Sequence, residues 1–96
     1  MSYDVHIGDE CHGQTYNIAP MVSEAIGMSV SDWDGLPAGV VGVYALRLLK
    51  ALAEDPAKYK AMNPRNNWGS RDSLMSMACN VLISCQNNPD CIVKVT

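Results

Sequence analysis

Ninety-six residues, 48% of them hydrophobic and 18% charged, hold one modest core and leave no room for a second. The net charge of −3 excludes a generally basic nucleic-acid binder. That charge is unevenly placed. Residues 1–46 carry Asp4, Asp9, Glu10, Glu24, Asp32 and Asp34 with no Lys or Arg, whereas all seven basic residues fall in 47–96. An acidic N-terminal half suits a basic partner.

The start, MSYDVHIGD, is acidic and lacks the apolar run of an export signal, so reduced thiols in a cytoplasm are expected. Were the chain oxidised, Cys85 and Cys91 would pair first, because only the turn-like QNNPD separates them. The uncharged stretch 73–89 contains too many Ser, Asn and Gln to span a membrane.

Residues 3–7, Tyr-Asp-Val-His-Ile, alternate apolar and polar, which predicts a strand with Tyr3, Val5 and Ile7 facing inward. Gly8 to Gly13 reads as a turn leading to a short second strand at 14–16. Pro20 opens a short helix over 21–26, with Asn17 placed to cap it and Gly27 to end it. After the loop Ser31-Asp32-Trp33-Asp34-Gly35, a long helix runs over about 36–53. Val41, Tyr44, Ala45, Leu48, Leu49 and Leu52 form its apolar face, widened by Val40, Val43 and Leu46. That breadth predicts a helix touched on most sides, and Gly39 and Gly42 predict close approach of a neighbour.

Asp55-Pro56 caps and opens a short helix to 62. A loop rich in turn formers follows, and Trp68 within it is expected to plug the core. Ser70 caps a last helix over about 71–86 whose core stripe is Leu74, Met77, Ala78, Val81, Leu82 and Cys85. Asn88-Pro89-Asp90 turns the chain, and residues 91–96 alternate again as a closing strand. The expected architecture is α+β. A small antiparallel sheet, formed by the N-terminal strand or hairpin and the C-terminal strand, packs against three to four helices in a single domain.

The segments TYNIAPM at 15–21, PAKYKAMNPRNNWG at 56–69 and NPD at 88–90 together resemble a family of small bacteriophage and prophage proteins. The family pattern places Gly where this chain has Asn67, a residue that tolerates the left-handed conformation. The resemblance implies a phage or prophage origin and a bacterial host cytoplasm as the place of action. It brings no catalytic residue with it.

No chemistry of catalysis is legible. Adjacent Cys11 and His12 point apart in extended chain, and Gly35, Gly39 and Gly42 lack the Lys-Ser/Thr of a phosphate loop. No cofactor is expected. His6, Cys11, His12 and Cys91 would converge on zinc only without the tight ligand spacing structural sites use, so a small zinc-binding regulator is a minor alternative.

Two surfaces are expected to bind protein. The first is Asp9, Glu10, Asp32, Trp33 and Asp34, with Trp33 either an interface anchor rimmed by carboxylates or a residue folded back onto the long helix. The second is the uncharged stripe Ser73, Ser76, Asn80 and Ser84 of the last helix, suited to a contact or oligomer face. The expected function is that of a non-catalytic inhibitor of host defence, in the manner of anti-CRISPR proteins. Its acidic half would block a basic nucleic-acid-binding surface of a host protein, with no direct contact to nucleic acid or membrane. The alternative is a phage structural or assembly accessory acting as a homodimer or larger homo-oligomer.

Overall fold

The computed structural model describes residues 2–66 and 69–96. Three antiparallel strands, β1 (Ser2–Ile7), β2 (Glu10–Thr15) and β3 (Lys94–Val95), form a sheet in the order β2-β1-β3. Four helices pack with it: α1 (Ala19–Ile26), α2 (Ala38–Glu54), α3 (Pro56–Ala61) and α4 (Arg71–Asn87). The expected α+β architecture is therefore present, with the chain's two ends paired in one sheet.

Alternation in β1 drives the arrangement. Val5 and Ile7 are fully buried, while Asp4 and His6 turn to the opposite face. The hairpin is tighter than the glycines at 8 and 13 suggest. Only Gly8 and Asp9 form the turn, with Gly8 at φ +59°, and pairing resumes at Ile7↔Glu10. Gly13 lies inside β2, opposite Asp4. Likewise Asn17 does not cap the first helix; a short 3-10 turn, Tyr16–Ile18, is capped by Thr15 instead and runs directly into α1. Gly27 ends that helix in the left-handed conformation at φ +70°.

Helices α2 and α4 pack closely along their lengths. Gly42 permits it: a Cβ there would stand 3.3 Å from the Cβ of Cys85. Arg71 locks the same pair at the other end, donating from Nε and Nη2 to the carbonyl of Leu52 at 3.1 and 3.0 Å. Ser70 and Asp55 cap α4 and α3 as their positions predict. Val41, Ala45, Leu48 and Leu52 face the core, but Val40, Val43 and Leu46 are 40%, 49% and 45% exposed. Thus α2 is covered on one broad side only, because the fold supplies no layer beyond it.

The closing strand is shorter than its alternation suggests. Residues 91–93 pair outward instead, with the segment that precedes α2. Ala38 donates its backbone N–H to Cys91, Gly35 donates to Val93, and Val93 donates to Leu36, each at 2.8 Å. Among the described residues, no helix is long and apolar enough to cross a membrane. The expected core role of Trp68 lies outside the described residues.

Candidate functional site

Helix α4 stands as a ridge between two grooves. Its sequence from Ser73 to Asn87 has no charged residue, and helical spacing divides it into a buried and an exposed side. Leu74, Met77, Ala78, Val81, Ser84 and Cys85 are buried, whereas Ser76, Cys79, Asn80 and Ile83 are exposed. On one flank, α4 and β2 enclose an open polar groove of about 540 Å³, lined by Cys11, His12, Gly13, Gln14, Ser73, Ser76, Met77 and Asn80. On the other, α2 and α4 enclose an apolar groove of about 310 Å³ with Gly39, Val43, Leu46 and Leu82 in its walls.

Side chains that alternate inward from β2 fasten it to α4. His12 Nε2 is hydrogen-bonded to Ser84 Oγ at 2.7 Å, and the Gln14 amide donates to Ser73 Oγ at 3.2 Å. Ser84 is 1% exposed. It is therefore removed from the expected contact stripe, since its hydroxyl is spent on His12. Ser73 is half-buried and completes the capping box of α4 with Ser70. Ser76 and Asn80 alone of the four expected residues stay exposed, and both line the polar groove.

The acidic candidates fall into two groups. Asp9 and Glu10 are exposed at the hairpin tip, next to Gly8, which abuts the side chain of Asn88 at the end of α4. Asp32 and Asp34 sit beside β3 and are engaged locally. The Asp32 carboxylate accepts the N–H of Ser29 at 2.9 Å as part of a capping box, and that of Asp34 accepts the N–H of Val95 at 2.9 Å. The Asp34 carboxylate thus holds the loop to the sheet, and that of Asp32 closes the loop's own turn.

Of the two placements expected for Trp33, the exposed anchor is overturned and the inward one is found. Trp33 is 0% exposed, the largest fully buried side chain among the described residues, and its indole N–H donates to the Met28 thioether at 3.4 Å. Flanking carboxylates report the surface of a 3-10 turn while the residue between them points inward, so the adjacent charges misread its burial.

All four thiols are free. Cys85 is buried, which pushes its pKa up to about 11 because an ionised thiolate would lack solvent. Cys11 and Cys79 are exposed. His12 faces α4, while His6 and Cys11 are opposite in register on the other side of the sheet, and His6 Nε2 is hydrogen-bonded to Thr96 Oγ1 at 3.0 Å. Among the described residues, no three His, Cys, Asp or Glu side chains come together as metal ligands would.

What the arrangement offers is three surface features: an acidic hairpin tip, a polar groove along a strand, and an apolar groove between helices. Sequence reasoning missed Gln14, Gly13 and Asp4 as parts of the site: Gly13 read as turn, Gln14 is a polar residue facing a distant helix, and Asp4 read only as the wet face of the first strand. Comparison with protein-family models, with curated proteins and with solved structures finds no match.

Proposed function

We propose that this chain is a non-catalytic protein-binding inhibitor, phage- or prophage-encoded, whose acidic hairpin engages a basic surface of a host protein. The observation that carries the reading is the β1–β2 hairpin. It holds Asp4, Asp9 and Glu10 with no Lys or Arg, and it borders an open groove walled by the uncharged stretch of α4 from Ser73 to Asn80. Charge of one sign on a projecting element accelerates encounter with the opposite sign, and an uncharged floor can then be buried without stranding ions. The target class suited to such a surface is a nucleic-acid-binding component of a bacterial defence system, which the hairpin would occlude as anti-CRISPR proteins do.

The test is capture of host proteins on the immobilised chain, comparing wild type with Asp9→Lys/Glu10→Lys and with Asp32→Asn/Asp34→Asn. A specific partner lost with the hairpin variant supports the reading. Equal capture by wild type and the hairpin variant contradicts it.

A second reading, a homo-oligomeric assembly accessory, is favoured by the exposed Val43 and Leu46 in the walls of the apolar groove. Light scattering tests it: a stable dimer that Val43→Lys/Leu46→Lys converts to monomer supports it, and a wild-type monomer at high concentration removes it.

A further inference from the structure

The two edges of the sheet are treated differently. Beyond β3, residues 35–38 supply the backbone bonds to Cys91 and Val93 described above, and Asp34 closes the remaining N–H at Val95. Beyond β2 lies the polar groove. Which groups face it follows from the pairing on the opposite side of β1. Asp4 and Thr96 exchange both backbone hydrogen bonds, each at 3.0 Å, so the N–H and C=O of Asp4 point toward β3. Backbone direction alternates along a strand, so Tyr3, Val5 and Ile7 point toward β2 and bond Gln14, His12 and Glu10. Cys11, Gly13 and Thr15 consequently direct their N–H and C=O outward. Gln14 Oε1 accepts the N–H of Thr15 at 3.0 Å. Cys11 and Gly13 are exposed, and their outward groups border the groove.

We propose that the open edge of β2 receives an extended, basic segment of a partner protein as an added strand, paired to Cys11 and Gly13. Exposed strand edges recruit extended chains in this way, with backbone bonds supplying affinity and alternating side chains supplying selectivity. The side chains select the occupant. On the inner face the added strand meets Ser76 and Asn80, which accept small uncharged residues. On the outer face, Asp4 Oδ1 lies 3.0 Å from where a Gly13 Cβ would stand, so its carboxylate leans over the glycine toward the edge. A Lys or Arg beside Gly13 meets that carboxylate. A second copy of this chain would instead oppose Asp4, Asp9 and Glu10 with the same three charges. This inference rests on the protein-binding reading and specifies how the partner is held.

The probe is the acetylated, amidated peptide Lys-Thr-Lys-Val-Lys-Thr, titrated to millimolar concentration while amide exchange is followed residue by residue. In the free protein Cys11 and Gly13 exchange fast and His12 slowly. With peptide at about 100 times its Kd, Cys11 and Gly13 slow by about a hundredfold. Asp4→Asn weakens binding by about two- to fivefold, the range of an exposed ion pair. Gly13→Pro removes one outward N–H while sparing the β1 ladder, and lowers affinity by about tenfold, with slow His12 exchange as the check on folding.

Absence of binding, or binding that leaves the Cys11 and Gly13 amides fast, overturns the proposal. So does protection at both amides that rises with protein concentration alone, the mark of two copies pairing. If the hairpin charge reversal abolishes capture of a host partner but both amides stay fast in that complex, the protein-binding reading stands and strand addition falls.

Discussion

His12 on the strand β2 and Ser84 on the helix α4, 72 residues apart in sequence, meet at 2.7 Å and join the sheet to the last helix. Ser84 is 1% exposed, so its hydroxyl relies on this partner. The two substitutions therefore differ in cost. His12→Ala leaves a buried hydroxyl unsatisfied and is expected to cost about 1–3 kcal/mol, whereas Ser84→Ala removes the group itself and costs about 1 kcal/mol. Urea unfolding of both singles and the double variant measures this, and the double variant should cost less than the sum of the two.

Arg71 places two donors on the carbonyl of Leu52 and closes the end of the α2–α4 pair. Its other contact, an ion pair with the exposed Asp72 at 2.9 Å, adds little at the surface. Arg71→Ala is expected to lose about 1.5–3 kcal/mol, while Asp72→Asn stays within about 0.5 kcal/mol. Arg71→Lys should not restore stability, because an ammonium lacks the planar fork. Thermal unfolding distinguishes the three variants.

The two glycines of α2 invite opposite outcomes. Gly39 has open space where a Cβ would go, and Gly39→Ala is expected to stabilise by up to about 1 kcal/mol through helix propensity. At Gly42 the same methyl would crowd Cys85 at 3.3 Å. Gly42→Val should therefore destabilise by about 1–3 kcal/mol as overpacking. Denaturant midpoints at unchanged slope would show both effects.

Thiol chemistry reports burial directly. At pH 8 a chromogenic disulfide should react first with Cys11 and Cys79, and with Cys85 only after unfolding, since its folded pKa is pushed up to about 11. The unfolded thiol ionises near its ordinary value of 9.0. Between that value and about 11 the unfolded chain thus releases the proton first, and the native state loses stability as pH rises through this window. Cys85→Ala should flatten that alkaline slope.

Legibility followed the physics of each element. Helices with strong punctuation read correctly: Asp55-Pro56, Ser70 and Gly27 mark their ends through local backbone chemistry, and local chemistry is what a sequence displays. Tyr3 to Ile7 read correctly because one face is buried and one is wet. Strand β2 did not, because its inward residues are His12 and Gln14, polar groups whose burial is licensed by partners on a distant helix. The same long-range reason hid Ser84 from view. Trp33 stayed undecided between an exposed and an inward placement, since a 3-10 turn can expose Asp32 and Asp34 while sinking the residue between them. The breadth of the apolar face on α2 overstated its burial, as no periodicity reveals whether a further layer exists to cover it.

The central claim is that the acidic hairpin occludes a nucleic-acid-binding surface, and competition on the captured host partner tests it most directly. The partner is loaded with a fluorescent oligonucleotide, and this chain is added while the complex is followed by size and anisotropy. The account predicts mutual exclusion: oligonucleotide is released as the chain binds, and Asp9→Lys/Glu10→Lys fails to release it. A stable ternary complex, with oligonucleotide and chain bound together, would contradict the account.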